Sequence, residues 1–163
     1  MTRDELAILT AASPDYPWER SGEVDLQIVG RVVPLKVLCD LDRESVTEPM
    51  AAALTELLGL DQNHWDDIAS LMLIDAQREC LNTDLGFARA PGEDTTMTNR
   101  REIGLAPDGS APEGWARADW IKQITVADDA DAIEASLDFD VPWEVEHGFH
   151  VRFENGKFVA FNP

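Results

Sequence analysis

The run Gly148-Phe149-His150-Val151-Arg152-Phe153-Glu154-Asn155-Gly156-Lys157-Phe158-Val159-Ala160-Phe161 decides the fold class. Asn-Gly between alternating residues marks a type I′ hairpin, because both central positions need positive φ. A two-residue turn sets Glu154 opposite Lys157 and Phe153 opposite Phe158. Strict alternation then places Phe149, Val151, Phe153, Phe158 and Ala160 on one face, with His150, Arg152, Val159 and Phe161 on the other. Such a hairpin is marginal alone and needs further strands or helices to cover its apolar face.

Upstream, residues 120–126 and 133–141 also read as strands, joined across Asp128-Asp129-Ala130-Asp131. Near the other end, Val24, Leu26 and Ile28 alternate with Asp25 and Gln27, and a second run covers 32–40. A two-residue Gly30-Arg31 turn of type II′ would pair Ile28 with Val33, Leu26 with Leu35, Val24 with Val37 and Asp25 with Lys36. Pro34 cannot donate to a ladder and should lie at an edge or bulge. A short helix and the breaker Ser13-Pro14-Asp15 precede this hairpin.

Two helices are expected between the strand pairs. Thr47 caps the first, with Pro49 in its opening turn, Met50, Leu54, Leu57 and Leu58 inward, and Gly59 as the C′ stop. Asp61 caps the second, which turns Trp65, Ile68, Leu71, Met72 and Cys80 inward. Asp66 and Asp67 fall in its first turn and Arg78 near its end, as the helix dipole favours. Residues 82–118 show no regular pattern. They hold five glycines, three prolines and Arg89, Arg100, Arg101 and Arg117, a length of loop that is unusual in a compact domain. The sum is one α+β domain over 1–163: an antiparallel sheet of N- and C-terminal hairpins with two central helices packed on one side.

Composition narrows function. Thirty-two acids face 13 bases, for a net charge of −19 and a pI near 4.2. That charge opposes binding to nucleic-acid phosphates or anionic membranes. With 44% apolar residues the chain has enough to bury and is no disordered tail. No transmembrane helix and no secretory signal is read, and Cys39 and Cys80 are expected to be reduced and buried, so the expected compartment is the cytoplasm.

No Gly-x-Ser-x-Gly elbow, Walker loop or Gly-x-Gly-x-x-Gly run is present, and no catalytic residue or cofactor is assigned. Trp143-Glu144-Val145-Glu146-His147-Gly148-Phe149-His150 gathers two imidazoles and two carboxylates, but the spacing suits zinc poorly. The segment is expected to be a turn. Pro142 fixes its entry, Trp143 plugs the core, a carboxylate or imidazole satisfies turn amides, and Gly148 supplies a special backbone angle. His64 is assigned a surface or capping role, and no metal site is assigned.

Charge distribution gives the sharper candidate. Nine acids and one base, Lys122, lie between Asp119 and Glu146. Alternation puts Glu134, Ser136, Asp138 and Asp140 on one face, beside the acidic turn. The candidate partner-binding residues are therefore Asp128, Asp129, Asp131, Glu134, Asp138, Asp140, Glu144 and Glu146, presented to a basic partner.

The stretch Trp143-Glu144-Val145-Glu146-His147-Gly148 followed by a hairpin resembles a group of small, largely uncharacterised bacterial domains that end on Trp-Asp/Glu-x-Glu-His-Gly. Trp143, Glu146, His147 and Gly148 match that motif, and Glu144 stands where Asp is common. Trp18 with Gly22, the hairpin to Asp40 and the Ala/Leu-rich helix extend the resemblance, and 82–118 match least. Many members look like immunity proteins encoded beside secreted toxins. The resemblance implies a cytoplasmic, non-enzymatic inhibitor of a basic toxin. Two alternatives stay open: a small-ligand or metal-binding domain, with possible enzyme activity, centred on Glu146, His147 and His150, and a homo-oligomeric structural module.

Overall fold

The computed structural model describes residues 1–41, 45–129, 132–154 and 157–162, with backbone alone for 129 and 157–162. Its elements are α1 (Arg3–Leu9), β1 (Thr10–Ala12), β2 (Glu19–Leu26), β3 (Arg31–Leu38), α2 (Glu48–Leu58), α3 (Gln62–Asn82), α4 (Thr95–Glu102), β4 (Ile121–Asp129), β5 (Ala132–Val141), β6 (Glu144–Glu154) and β7 (Lys157–Asn162). The fold is α+β. All seven strands form one sheet in chain order, so both terminal hairpins share it. Every neighbouring pair is antiparallel except β3 and β4, which run parallel with Leu35 opposite Ile124. The parallel pair arises because three helices carry the chain from β3 to β4, a crossover that a tight turn cannot make.

One face of the sheet is the core. Val24, Leu26, Val33, Leu35, Val37, Ile124, Val126, Leu137, Phe139, Phe149 and Val151 are all buried there. Helix α2 lies across β4, β5 and β6, and Trp65 of α3 meets Phe139 with ring centroids 6.4 Å apart. Thr47 caps α2, its Oγ1 accepting from the Met50 amide. Gly59 ends α2 at φ −83°, so the stop is not the left-handed one expected of glycine. Asp61 caps α3 through the amides of Asn63 and His64, and His64 Nδ1 returns to the Asp61 amide. Because α3 begins at Gln62 its first turn holds no acid and its last no base. Asp66, Asp67 and Arg78 therefore lie outside the turns where the dipole acts. Cys39 and Cys80 are free and buried, and burial pushes both thiols up.

The first hairpin departs from its expected register. Gln27–Val29 form a 3₁₀ turn closed by Gly30 at φ 63°, whose amide donates to the carbonyls of Leu26 and Gln27. Val33 therefore lies opposite Val24, and Leu35 opposite Gly22. Lys36 pairs with Glu19 at 2.9 Å instead of with Asp25. The shift is even, so the same side chains point inward. Pro34 stands one residue ahead of the Leu35–Leu38 stretch that joins β4.

In the last hairpin Glu154 faces Lys157 and Phe153 faces Phe158, as the Asn-Gly spacing requires. The register then slips, so that Arg152 faces Ala160. The continuous alternation expected beyond Phe158 is broken there. Asn155 and Gly156 lie outside the described residues, as do the side chains of Phe158, Val159, Ala160 and Phe161.

The 82–118 stretch is not patternless. It contains α4, capped by Asp94 through the Met97 amide, and near its end it carries Trp115, which is buried. Asn99 of α4 is buried and donates to the carbonyls of Cys80 and Thr83 at the end of α3.

Candidate functional site

The turn between β5 and β6 is built on a bulge. Val141 faces Glu144 and Phe139 faces Phe149, so Asp140 alone stands opposite Val145, Glu146, His147 and Gly148. Val145, Glu146 and His147 project from the sheet there and are exposed. The Glu144 carboxylate accepts from the His147 amide at 3.2 Å. The His147 carbonyl faces His150 Nε2 at 2.7 Å. Gly148 closes the bulge at φ 74°, where a Cβ would stand 2.7 Å from the Phe139 carbonyl oxygen. Only glycine fits both the angle and the space.

Trp143 anchors this bulge to the core. It is 2% exposed, and its Nε1 donates to Asp75 of α3 at 2.9 Å. Trp115 stacks on it at 5.2 Å, and Trp120 meets both indoles edge-on. Trp115 Nε1 donates to the Ile103 carbonyl. The irregular segment, the bulge and α3 are thus joined by three indoles. Asp75 is itself buried, and Arg78 reaches its other oxygen at 2.5 Å. Burial pushes the Asp75 carboxyl above its usual range, only partly opposed by the Trp143 hydrogen bond and the Arg78 charge. Sequence reading passed over Asp75, although it interrupts the apolar stripe of Ile68, Met72, Ala76 and Cys80. A charge on that stripe was the available signal.

The row of carboxylates on the outer sheet face is largely matched by neighbours. Asp138 is 5% exposed and accepts from Thr125, Gln123, Ser136 and His150. Burial alone would raise its pKa, but those four hydrogen bonds together hold it below the usual carboxylate range. Glu134 pairs with Arg152 at 3.1 Å and Asp140 with Lys122 at 3.3 Å. Two of these partners, His150 and Arg152, come from β6, outside the window that held nine acids and one base. Asp128 is half-buried on β4. The side chain of Asp129 and all of Asp131 lie outside the described residues. Of the eight candidate residues, Glu144 and Glu146 therefore sit together at the bulge, apart from the sheet-face set.

His150 has both ring nitrogens against oxygens, Nδ1 on Asp138 and Nε2 on the His147 carbonyl. Neither is turned toward His147's ring, which is exposed and lies 3.6 Å from Glu144. Among the described residues, no three His, Cys, Asp or Glu side chains are grouped to hold a metal ion. Among them too, no helix is long and apolar enough to cross a membrane.

A groove of about 560 Å³ runs beside the bulge, between 142–147 and the end of α3 with the 83–87 segment. Its apolar lining residues are Leu85, Phe87, Pro142, Trp143 and Val145, its carboxylates are Glu79, Asp84, Glu144 and Glu146, and His147 lines it too. The bases are occupied elsewhere. Of 13 Lys and Arg, Arg43 and Lys157 are not described at side-chain level, which leaves eleven. Eight of these make ion pairs with carboxylates: Arg3, Lys36, Arg78, Arg89, Arg101, Arg117, Lys122 and Arg152. The other three, Arg20, Arg31 and Arg100, donate to backbone carbonyls.

No curated protein and no solved structure matches the chain. The family described as a domain of unknown function, DUF6985, matches residues 8–162, and the chain belongs to that family.

Proposed function

We propose that this chain is a non-enzymatic acidic binding protein whose partner is a basic protein, acting as a cytoplasmic immunity protein that neutralises a basic bacterial toxin. The observation that carries this reading is the internal use of the bases. Eleven described Lys and Arg side chains are already bonded within the molecule, while the carboxylates outnumber all bases by 19. The surplus negative field faces outward, where it speeds encounter with a basic partner and selects against acidic ones.

The arrangement at His150 does not favour the metal or acid–base alternative, since its two nitrogens are spent on positioning the bulge. Co-purification with the product of the adjacent gene tests the proposal. A basic product should be retained at low ionic strength and weakened at high ionic strength, where the Debye length falls to about 3 Å at 1 M. An adjacent product that is neither basic nor retained would overturn it.

A further inference from the structure

We infer that the groove beside the bulge takes an extended segment of a basic protein, with an Arg or Lys side chain laid along its apolar floor. This inference rests on the proposed reading of the chain as a partner of basic proteins, and it names the part of the surface that would do the binding.

The groove combines two features that a long cationic side chain satisfies together. Its apolar lining residues are Leu85, Phe87, Pro142, Trp143 and Val145, and beside them stand four carboxylates and the His147 imidazole, with neither Lys nor Arg. An Arg or Lys buries its methylene stem against apolar groups and keeps its charged head among acids. Val145 is 86% exposed, a cost in water that an incoming aliphatic stem would remove. Two of the carboxylates are partly compensated from the margin, Glu79 by Arg78 at 3.2 Å and Asp84 by Arg89 at 2.9 Å. Glu144 is turned by the His147 amide, and Glu146 projects from the bulge into solvent.

The walls are held before any partner arrives. Trp143 is fixed to Asp75 and stacked on Trp115, and Gly148 sets the bulge. On the facing wall, Asp84 accepts from the Gly86 amide, which shapes the 84–86 turn. A preformed groove loses less freedom on binding.

Fluorescence anisotropy with a labelled peptide of alternating Arg and Leu tests this at low ionic strength. The double variant Val145→Ser, Glu146→Gln alters only exposed side chains of the bulge. The control Val32→Ser, Glu23→Gln makes the same chemical changes on the exposed side of β2 and β3, where Val32 is 57% exposed. The groove variant should bind on the order of tenfold more weakly than the unaltered protein, and the control within about twofold. If the two double variants bind alike, the groove is not the site, and the broader charge-based reading survives. If the unaltered protein does not bind the peptide at all, the groove and the charge-based reading both fall.

Discussion

Gly148 sits at φ 74° with the Phe139 carbonyl 2.7 Å from where a Cβ would stand, so Gly148→Ala combines backbone strain with a clash. Urea unfolding should show a loss of about 1–3 kcal/mol; a neutral result would contradict the bulge as described. Trp143→Phe keeps the stacking surface but removes the Trp143 indole donor to Asp75, a group 2% exposed. Leaving that carboxylate short of a donor should cost about 1–3 kcal/mol near neutral pH. Burial already raises the Asp75 pKa, so this group opposes folding when charged, and its cost is relieved as pH falls through its folded pKa. The Trp143→Phe loss should shrink toward acid pH; an equal loss at every pH would point to packing alone.

Asp138 titrates with the opposite sign. Its pKa is depressed in the folded state, so its contribution is complete above the ordinary aspartate range. That contribution is lost as pH falls through the folded value. The stability gap between the unaltered protein and Asp138→Asn should be widest near neutral pH and close below about pH 4. A gap that widened on acidification would refute the hydrogen-bonded carboxylate.

At the scale of elements, the three-indole cluster makes the segment between α3 and β4 a docked unit. Trp115→Ala removes a buried ring that touches Trp120 and Trp143, a change that typically costs about 3–5 kcal/mol. Limited trypsin digestion should then cut at Arg89, Arg100 or Arg101 well before the unaltered protein is nicked. Equal rates would show that the segment is not held by Trp115.

The same segment marks where sequence reading ended. Periodicity finds elements that bury apolar residues, and α4 buries Thr98 and Asn99 instead, so it leaves no apolar stripe to detect. The last hairpin was legible because Asn-Gly fixes a register by backbone sterics alone. Its slip between Arg152 and Phe153 carried no local signal. In the first hairpin, Gly30 fits the opening of a two-residue turn by sequence but closes a 3₁₀ turn. Parity survived, and Val24, Leu26, Val33, Leu35 and Val37 point inward, while Ile28 moves into the 3₁₀ turn. At the site, the roles of Trp143 and Gly148 were legible. The pairing of Glu134, Asp138 and Asp140 was not, because its partners sit one strand over and a window along the chain cannot see across a sheet.

For the whole molecule, the arithmetic of charge has a spatial form. Glu134, Asp138 and Asp140 on the sheet face are matched by Arg152, His150 and Lys122, the irregular segment's arginines hold that segment together, and Glu144 and Glu146 stand at a projecting bulge. A surface whose eleven described Lys and Arg are all bonded internally should bind basic proteins through long-range attraction, with affinity falling as salt rises. The most direct measurement is calorimetric titration of the chain with the product of the adjacent gene across a series of salt concentrations. Saturable binding to a basic protein is expected, with an affinity that declines steadily as ionic strength rises. Absence of binding at low ionic strength, or an affinity indifferent to salt, would contradict it.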